Sequence, residues 1–297
     1  MAKFRRNHTK SGNFFSSTFI RVIAFLFMGG FAIFYIFRNV DEKDLGGYEI
    51  PTADHPENRF YLPTGSNGEL IHHTYYSLAY NEKMEQADWV AYELTKAQLL
   101  KPNVKRERQF RPDYDVSTQS AFHRDYTRSG YTRGHLAPAG DMAFNVEAMK
   151  ESFFMSNMSP QLESFNGGIW RELEENIRDW AFDNDRLYIV TGPVLKKGII
   201  KKIGDNKVAV PKYFFKVVLD IVGNEKKGIG FIMENEMSEV PLQEYAITID
   251  SVEQFTGFDF FSDLITEDVE EEIESKVNVK DWRFDKRKFE DRNTRYR

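Results

Sequence analysis

The sequence predicts an α+β domain built on a mostly antiparallel sheet and preceded by one transmembrane helix. Three observations carry that reading. β-rich runs separated by Gly, Pro and Asn crowd residues 186–250, helical periodicity flanks and interrupts them, and one apolar run lies near the amino terminus. With 297 residues, 41% hydrophobic and 15% aromatic, the chain has the material for a sizeable core.

Thr18 to Phe37, TFIRVIAFLFMGGFAIFYIF, is apolar at nearly every position, and about 20 such residues cross a bilayer. Only Arg21 interrupts it, near enough to the end to snorkel. Lys3, Arg5, Arg6 and Lys10 precede it without an acid, whereas Asp41, Glu42 and Asp44 follow Arg38. The positive-inside bias then keeps the amino terminus cytoplasmic and sends the rest of the chain to the periplasm or the extracellular side. No A-x-A-like site follows the apolar run, which favours an uncleaved single-pass anchor over a signal peptide. Residues 1–17 are thus a basic tail, 18–38 the anchor, and 39–58 a linker containing Gly, Pro and Asp. The absence of cysteine fits an exported domain without disulfides and decides little else.

The folded domain is expected over residues 59–265. HHTYYSLAYNE alternates like a strand, and Ala87 to Leu100 places Trp89, Val90, Leu94, Ala97 and Leu100 at helical spacing. Asn166, followed by two glycines, reads as the start of a helix whose Ile169, Trp170, Leu173, Ile177 and Trp180 form an apolar stripe. Arg186 to Leu195, Lys212 to Ile221, Gly228 to Asn235 and Glu244 to Asp250 read as strands. Residues 266–297 hold the acidic run TEDVEEEIES and a charge-dense end, expected as a solvated helix and a frayed tail rather than a partner-docking segment.

The chain carries a formal charge of −6, and six basic residues up to Arg38 meet no acid, which leaves the remainder at −12. Contact with a polyanion must therefore come from a local basic patch. HExxH, cysteine-based zinc, G-x-S-x-G and Walker patterns are all missing, which removes the corresponding protease, lipase and NTPase readings. His72 and His73 are adjacent, would face opposite ways on a strand, and make poor ligands for one metal. His123 has no partner motif and reads as structural.

What remains is SGYTRGHLAPAGDM, Ser129 to Met142. Hydrolysing a phosphodiester takes a base near neutrality, cations for the developing charge and a polarising metal. His135 is a candidate base and Arg133 a candidate phosphate clamp. Thirty residues on, Asn166, Trp170 and Glu174 stand at i, i+4 and i+8, placing an amide and a carboxylate on one side of a helix as oxygen donors for Mg²⁺. Each feature alone has a plain structural reading: a histidine in a turn, a helix cap, a surface acid.

Together, GYTRGHLAPAGDM, SNMSPQ and FNGGIWRELE, with TGPVL and TGFDFF beyond them, resemble the DNA/RNA non-specific endonucleases of the ββα-metal type, the endonuclease G-like group, over about Arg59 to Leu264. The resemblance implies a ββα-metal finger backed by an antiparallel sheet. It implies a Mg²⁺-dependent hydrolase, with Mn²⁺ as a substitute, that cuts DNA and/or RNA with little sequence specificity and leaves 5′-phosphate ends. It makes His135 the general base, Asn166 the direct metal ligand and Glu174 a ligand through water. Arg133 becomes the clamp, and Arg106, with Arg108 as fallback, a second catalytic arginine. Asn157 and Gln161 match positions that shape the site and contact substrate. Arg124, Arg128 and Tyr131 are expected to follow the sugar-phosphate backbone. The family's D-R-G-H is T-R-G-H here, with Thr132 in place of the acid. The alternative is a catalytically silent, nuclease-like binding domain at the membrane surface, and homodimerisation is left open.

Overall fold

β1 (Glu69–His72), β2 (Ser77–Asn81), β3 (Gln86–Thr95), β6 (Arg186–Pro193), β9 (Tyr213–Asp220), β10 (Lys227–Glu234) and β11 (Ala246–Ile247) form one seven-stranded sheet in that spatial order. Every pairing in it is antiparallel. Two ribbons stand apart, β4 (Thr132–His135) with β5 (Met158–Gln161) and β7 (Ile199–Ile203) with β8 (Val208–Pro211). The helices are α1 (Lys96–Leu99), α2 (Val146–Glu151), α3 (Arg171–Asp183), α4 (Ile249–Thr256), α5 (Glu267–Glu274) and α6 (Lys286–Tyr296).

This computed structural model describes residues 61–222 and 226–296. The expected basic tail, membrane span and linker lie outside the described residues, among which no helix is long and apolar enough to cross a membrane.

The stretch expected as a helix over Ala87–Leu100 is instead β3 followed by the single turn α1. β3 lies between β2 and β6 with every residue from Gln86 to Tyr92 buried. A strand covered on both faces loses its polar-apolar alternation, and what is left can mimic a helical period. The single strand expected at His72–Glu82 is a hairpin, because His73 N donates to Tyr76 O at 2.9 Å and turns the chain between β1 and β2. Glu244–Asp250 spans a 3₁₀ turn, two strand residues and the start of α4.

α3 buries Leu173, Ile177 and Trp180 in the main core. The frayed tail is corrected by packing. Trp282 is 2% exposed, its ring lies 4.9 Å from that of Trp180, and Trp180 Nε1 donates to Arg283 O at 2.6 Å. Further on, Arg292 is 4% exposed, and α6, which looks solvated in sequence, bonds through Arg295 and Tyr296 to Gly167 O and Glu163 O in the segment before α3.

Candidate active site

β4 reads Thr-Arg-Gly-His, and its register against β5 pairs Gly134 with Ser159 and His135 with Met158. The glycine is fixed by space, because a Cβ at position 134 would overlap the Gln161 carboxamide. His135 ends the strand. The loop after it is held by Asn157, whose Oδ1 accepts from Ala137 N at 2.9 Å while Nδ2 donates to Ala137 O and Ser152 O at 3.0 and 2.8 Å.

The half-buried His135 ring packs edge-on against Phe153, with centroids 4.7 Å apart, and beside Phe110 at 5.9 Å. Its Nε2 is buried and has no hydrogen-bond partner among the described residues. Burial, reinforced by the Arg106 guanidinium, pulls the imidazole down to about 3, so the ring is neutral at physiological pH, while the same burial and charge weaken it as a base.

Asn166 is not the helix cap expected. The helix starts before it, and Phe165–Trp170 is a π-helical turn with a break at Gly168 (φ −98°, ψ −118°), running directly into α3. A π turn adds a residue and shifts the helical phase. Asn166 and Glu174 therefore line one cleft, while Trp170 between them goes into the core, 0% exposed.

Asn166 Nδ2 donates to Thr132 Oγ1 at 2.9 Å, and that hydroxyl donates to Gln161 O at 3.0 Å. The polarity of this relay is forced, because a carbonyl can only accept. Thr132 must spend its proton on Gln161 and accept from Asn166. Asn166 lines the cleft, and its Oδ1 stays an acceptor while Nδ2 is spent on Thr132.

The cleft, about 430 Å³, is lined by Arg106, Arg133, Arg171 and Arg178 together with Glu163, Asn166, Glu174 and Glu175, and His135 opens into it. Arg171 is paired with Glu175 and Arg178 with Asp141, both at 2.7 Å, which leaves Arg106 and Arg133 as the lining cations placed to meet a phosphate. A second hollow of about 480 Å³ shares Arg106 and Phe110 and adds Lys105 and Arg108, which extends the basic groove. Burial raises the Glu174 carboxyl, opposed by Lys216 and Arg178.

Arg133 is pinned, donating from one terminal nitrogen to His123 O at 2.7 Å and lying 5.6 Å from both the Phe110 and Tyr126 rings. Arg106 lies over Phe153 at 5.3 Å, on the His135 side of the cleft. His135, Arg133, Arg106, Asn166 and Glu174 are thus brought together. Asn157 and Gln161 sit behind the lining, fully buried, and Arg124, Arg128 and Tyr131 do not line the cleft.

Sequence reasoning passed over three residues. Lys216 is 0% exposed in β9 with its ammonium 4.7 Å from the Trp170 ring, and burial lowers it while Glu174 holds it up. Its signal was a lysine in the middle of the apolar run YFFKVVL. Asp141 accepts from Tyr92 OH at 2.8 Å and from Arg178 at 2.7 Å, tying β3, the loop after His135 and α3 to one another. Arg178 stands one turn beyond Glu174, where an i, i+4 pair could have been read. Elsewhere, His73, Asp113 and Asp115 offer atoms within 4.8 Å of one another, a grouping able to hold a metal but outside the cleft lining. His73 Nε2 is hydrogen-bonded to Asp113 Oδ2 at 2.9 Å, and Nδ1 lies 3.6 Å from Asp115 Oδ2.

A family model described as DNA/RNA non-specific endonuclease matches residues 56–267. The chain belongs to that family. It is 32% identical over 208 residues to the human mitochondrial nuclease EXOG, covering 65% of this chain and 56% of that one. It is 35% identical over 215 residues to a nuclease from Nostoc sp., covering 68% and 76%. A solved EndoG/EndoGI complex superposes on it with a TM-score of 0.62 at 30% identity, covering 68% of this chain and 88% of that one. The endonuclease domain thus spans little more than half the length of the human relative.

Proposed function

We propose that the chain is a membrane-tethered Mg²⁺-dependent endonuclease that hydrolyses phosphodiester bonds of DNA and/or RNA with little sequence specificity. The observation that carries this reading is that His135, Asn166 and Glu174 line one cleft together with Arg106 and Arg133. The donor set fits the metal. Mg²⁺ takes one or two protein oxygens beside water and phosphate, here Asn166 directly and Glu174 through water, with Mn²⁺ as a substitute. When bound, the ion polarises the phosphate and offsets the charge that develops on it.

The remaining chemistry belongs to the chain. The His135 imidazole takes a proton from water as the water oxygen bonds to phosphorus. The P–O3′ bond breaks, the departing oxygen is protonated with help from the raised Glu174 carboxyl, and the products are a 5′-phosphate and a 3′-hydroxyl. Arg133 and Arg106 hold the phosphate, and contacts made to the backbone rather than to base edges leave cleavage sequence-blind. Incubating the full-length chain with plasmid and with RNA tests this. Cutting of at least one substrate that needs Mg²⁺ and stops with chelator is expected, and no cutting by folded protein with Mg²⁺ or Mn²⁺ would sink it.

Thr132 acts through Asn166. Thr132→Val should raise the Mg²⁺ concentration for half-maximal cutting about tenfold, the usual size for a residue that orients a metal ligand, while Thr132→Ser keeps it near wild type. A magnesium titration of plasmid nicking reads both, and equal requirements for Val and Ser contradict the relay.

Tethering rests on the apolar run 18–37 and its flanking charges. Protease added to intact cells should digest the endonuclease domain, and full protection reverses the orientation.

A further inference from the structure

The acidic run that sequence alone reads as a solvated helix is half of a cluster. α4 contributes Asp250 and Glu253, and α5 contributes Glu274. One carboxylate oxygen from each lies within 4.8 Å of the other two. The two helices are drawn together because both press on β10 at Gly228, where a Cβ would sit 2.7 Å from Ile249 Cδ1 and 3.1 Å from Ile273 Cγ2. Their apolar sides share that glycine, and their acidic sides meet above it.

Glu274 is the unusual member. It is 2% exposed, and its Oε1 is buried with no hydrogen-bond partner. After burial, the groups that raise it most are acids, Glu253, Glu270, Asp250 and Asp259, and the same holds for Glu270. An ionised carboxylate in such a place needs an opposite charge. Left alone it keeps a proton instead, and burial with its acidic neighbours pushes the Glu274 carboxyl up to about 10.

We propose that Asp250, Glu253 and Glu274 form a second metal site, outside the catalytic cleft, that binds a hard divalent cation of the calcium type and fastens α5 to α4. Three carboxylates on two helices supply oxygen donors only. The exposed Asp250 side leaves room for the waters that complete the six to eight ligands Ca²⁺ accepts in irregular geometry. Mg²⁺, which demands near-octahedral geometry, suits the cluster less well. Glu253 is already oriented, since its Oε1 accepts from Phe260 N at 2.7 Å.

The test is calorimetric titration of Ca²⁺ at pH 8 into metal-stripped full-length chain carrying Asn166→Ala, which keeps the catalytic cleft from contributing. One Ca²⁺ per chain is expected, with sub-millimolar affinity and a rise in melting midpoint of several degrees. Glu274→Gln in the same background should weaken binding at least tenfold and abolish the rise. Should that variant fail to fold, Glu253→Gln replaces it, with the same expected loss. No uptake of Ca²⁺ at millimolar concentration by the folded Asn166→Ala protein, or equal uptake with and without the glutamine substitution, overturns the proposal.

Discussion

His135→Ala and Asn166→Ala should each lower the rate of plasmid cleavage by about a thousandfold or more while leaving the melting midpoint near that of wild type. A positioned general base contributes about 10² to 10⁴ in rate, and loss of the direct metal ligand removes the polarising charge as well. Neither side chain anchors the fold through hydrogen bonds, although His135 also gives up its packing on Phe153 and Phe110. His135 Nε2 has no partner to lose, and Asn166 gives up one hydrogen bond to Thr132. The double variant should be little worse than either single one, because the two act on a single step. Quantified gel assays at saturating Mg²⁺ read this directly, and a single variant retaining more than a tenth of wild-type activity removes that residue from the mechanism.

Arg292→Ala should destabilise the domain by about 3–5 kcal/mol, the range for breaking a buried pair, and lower the melting midpoint by roughly 10 °C. Arg292 Nε lies 3.2 Å from Glu172 Oε2, with the side chains 3% and 4% exposed, close enough for an ion pair though not aligned as a hydrogen bond. Burial raises Glu172 and lowers Arg292, so each charge is costly without the other. Truncation strands Glu172 and also removes the donation from Arg292 to Val240 O at 2.7 Å. Replacing both partners by apolar residues, Arg292→Met with Glu172→Leu, should recover most of the loss.

The same substitution reaches the active site. α6 holds the segment that carries Asn166, with Arg295 donating to Gly167 O and Tyr296 OH to Glu163 O, both at 3.2 Å. Cleavage by Arg292→Ala should therefore need more Mg²⁺ even below its melting range. A thermal melt indistinguishable from wild type would show that α6 is an appendage.

The site was more legible in sequence than the fold around it. His135, Asn166 and Glu174 could be named because three short blocks resemble those of the family, and the structure gathers the three residues into one cleft. What spacing could not supply was the π turn, which sends Trp170 to the core and leaves Asn166 and Glu174 facing the cavity. β3 was mistaken for a helix because its two covered faces hide the period of two. The packing of α6 was invisible for a different reason: Arg292 is an ordinary surface residue in sequence and becomes a core residue only when Glu172, 120 positions earlier, lies opposite it. Lys216 and Asp141 were missed likewise, since each matters through a residue far away in the chain.

Chemical rescue tests the central claim most directly. His135→Ala leaves space between Phe110 and Phe153 for a free imidazole, and the rest of the cleft intact. With Mg²⁺ present, added imidazole should restore plasmid cleavage at least tenfold over the unrescued variant, with a rate that follows the neutral form of the imidazole, and should not rescue Asn166→Ala. Cleavage by His135→Ala that is indifferent to imidazole, or that already matches wild type, would contradict a base at His135.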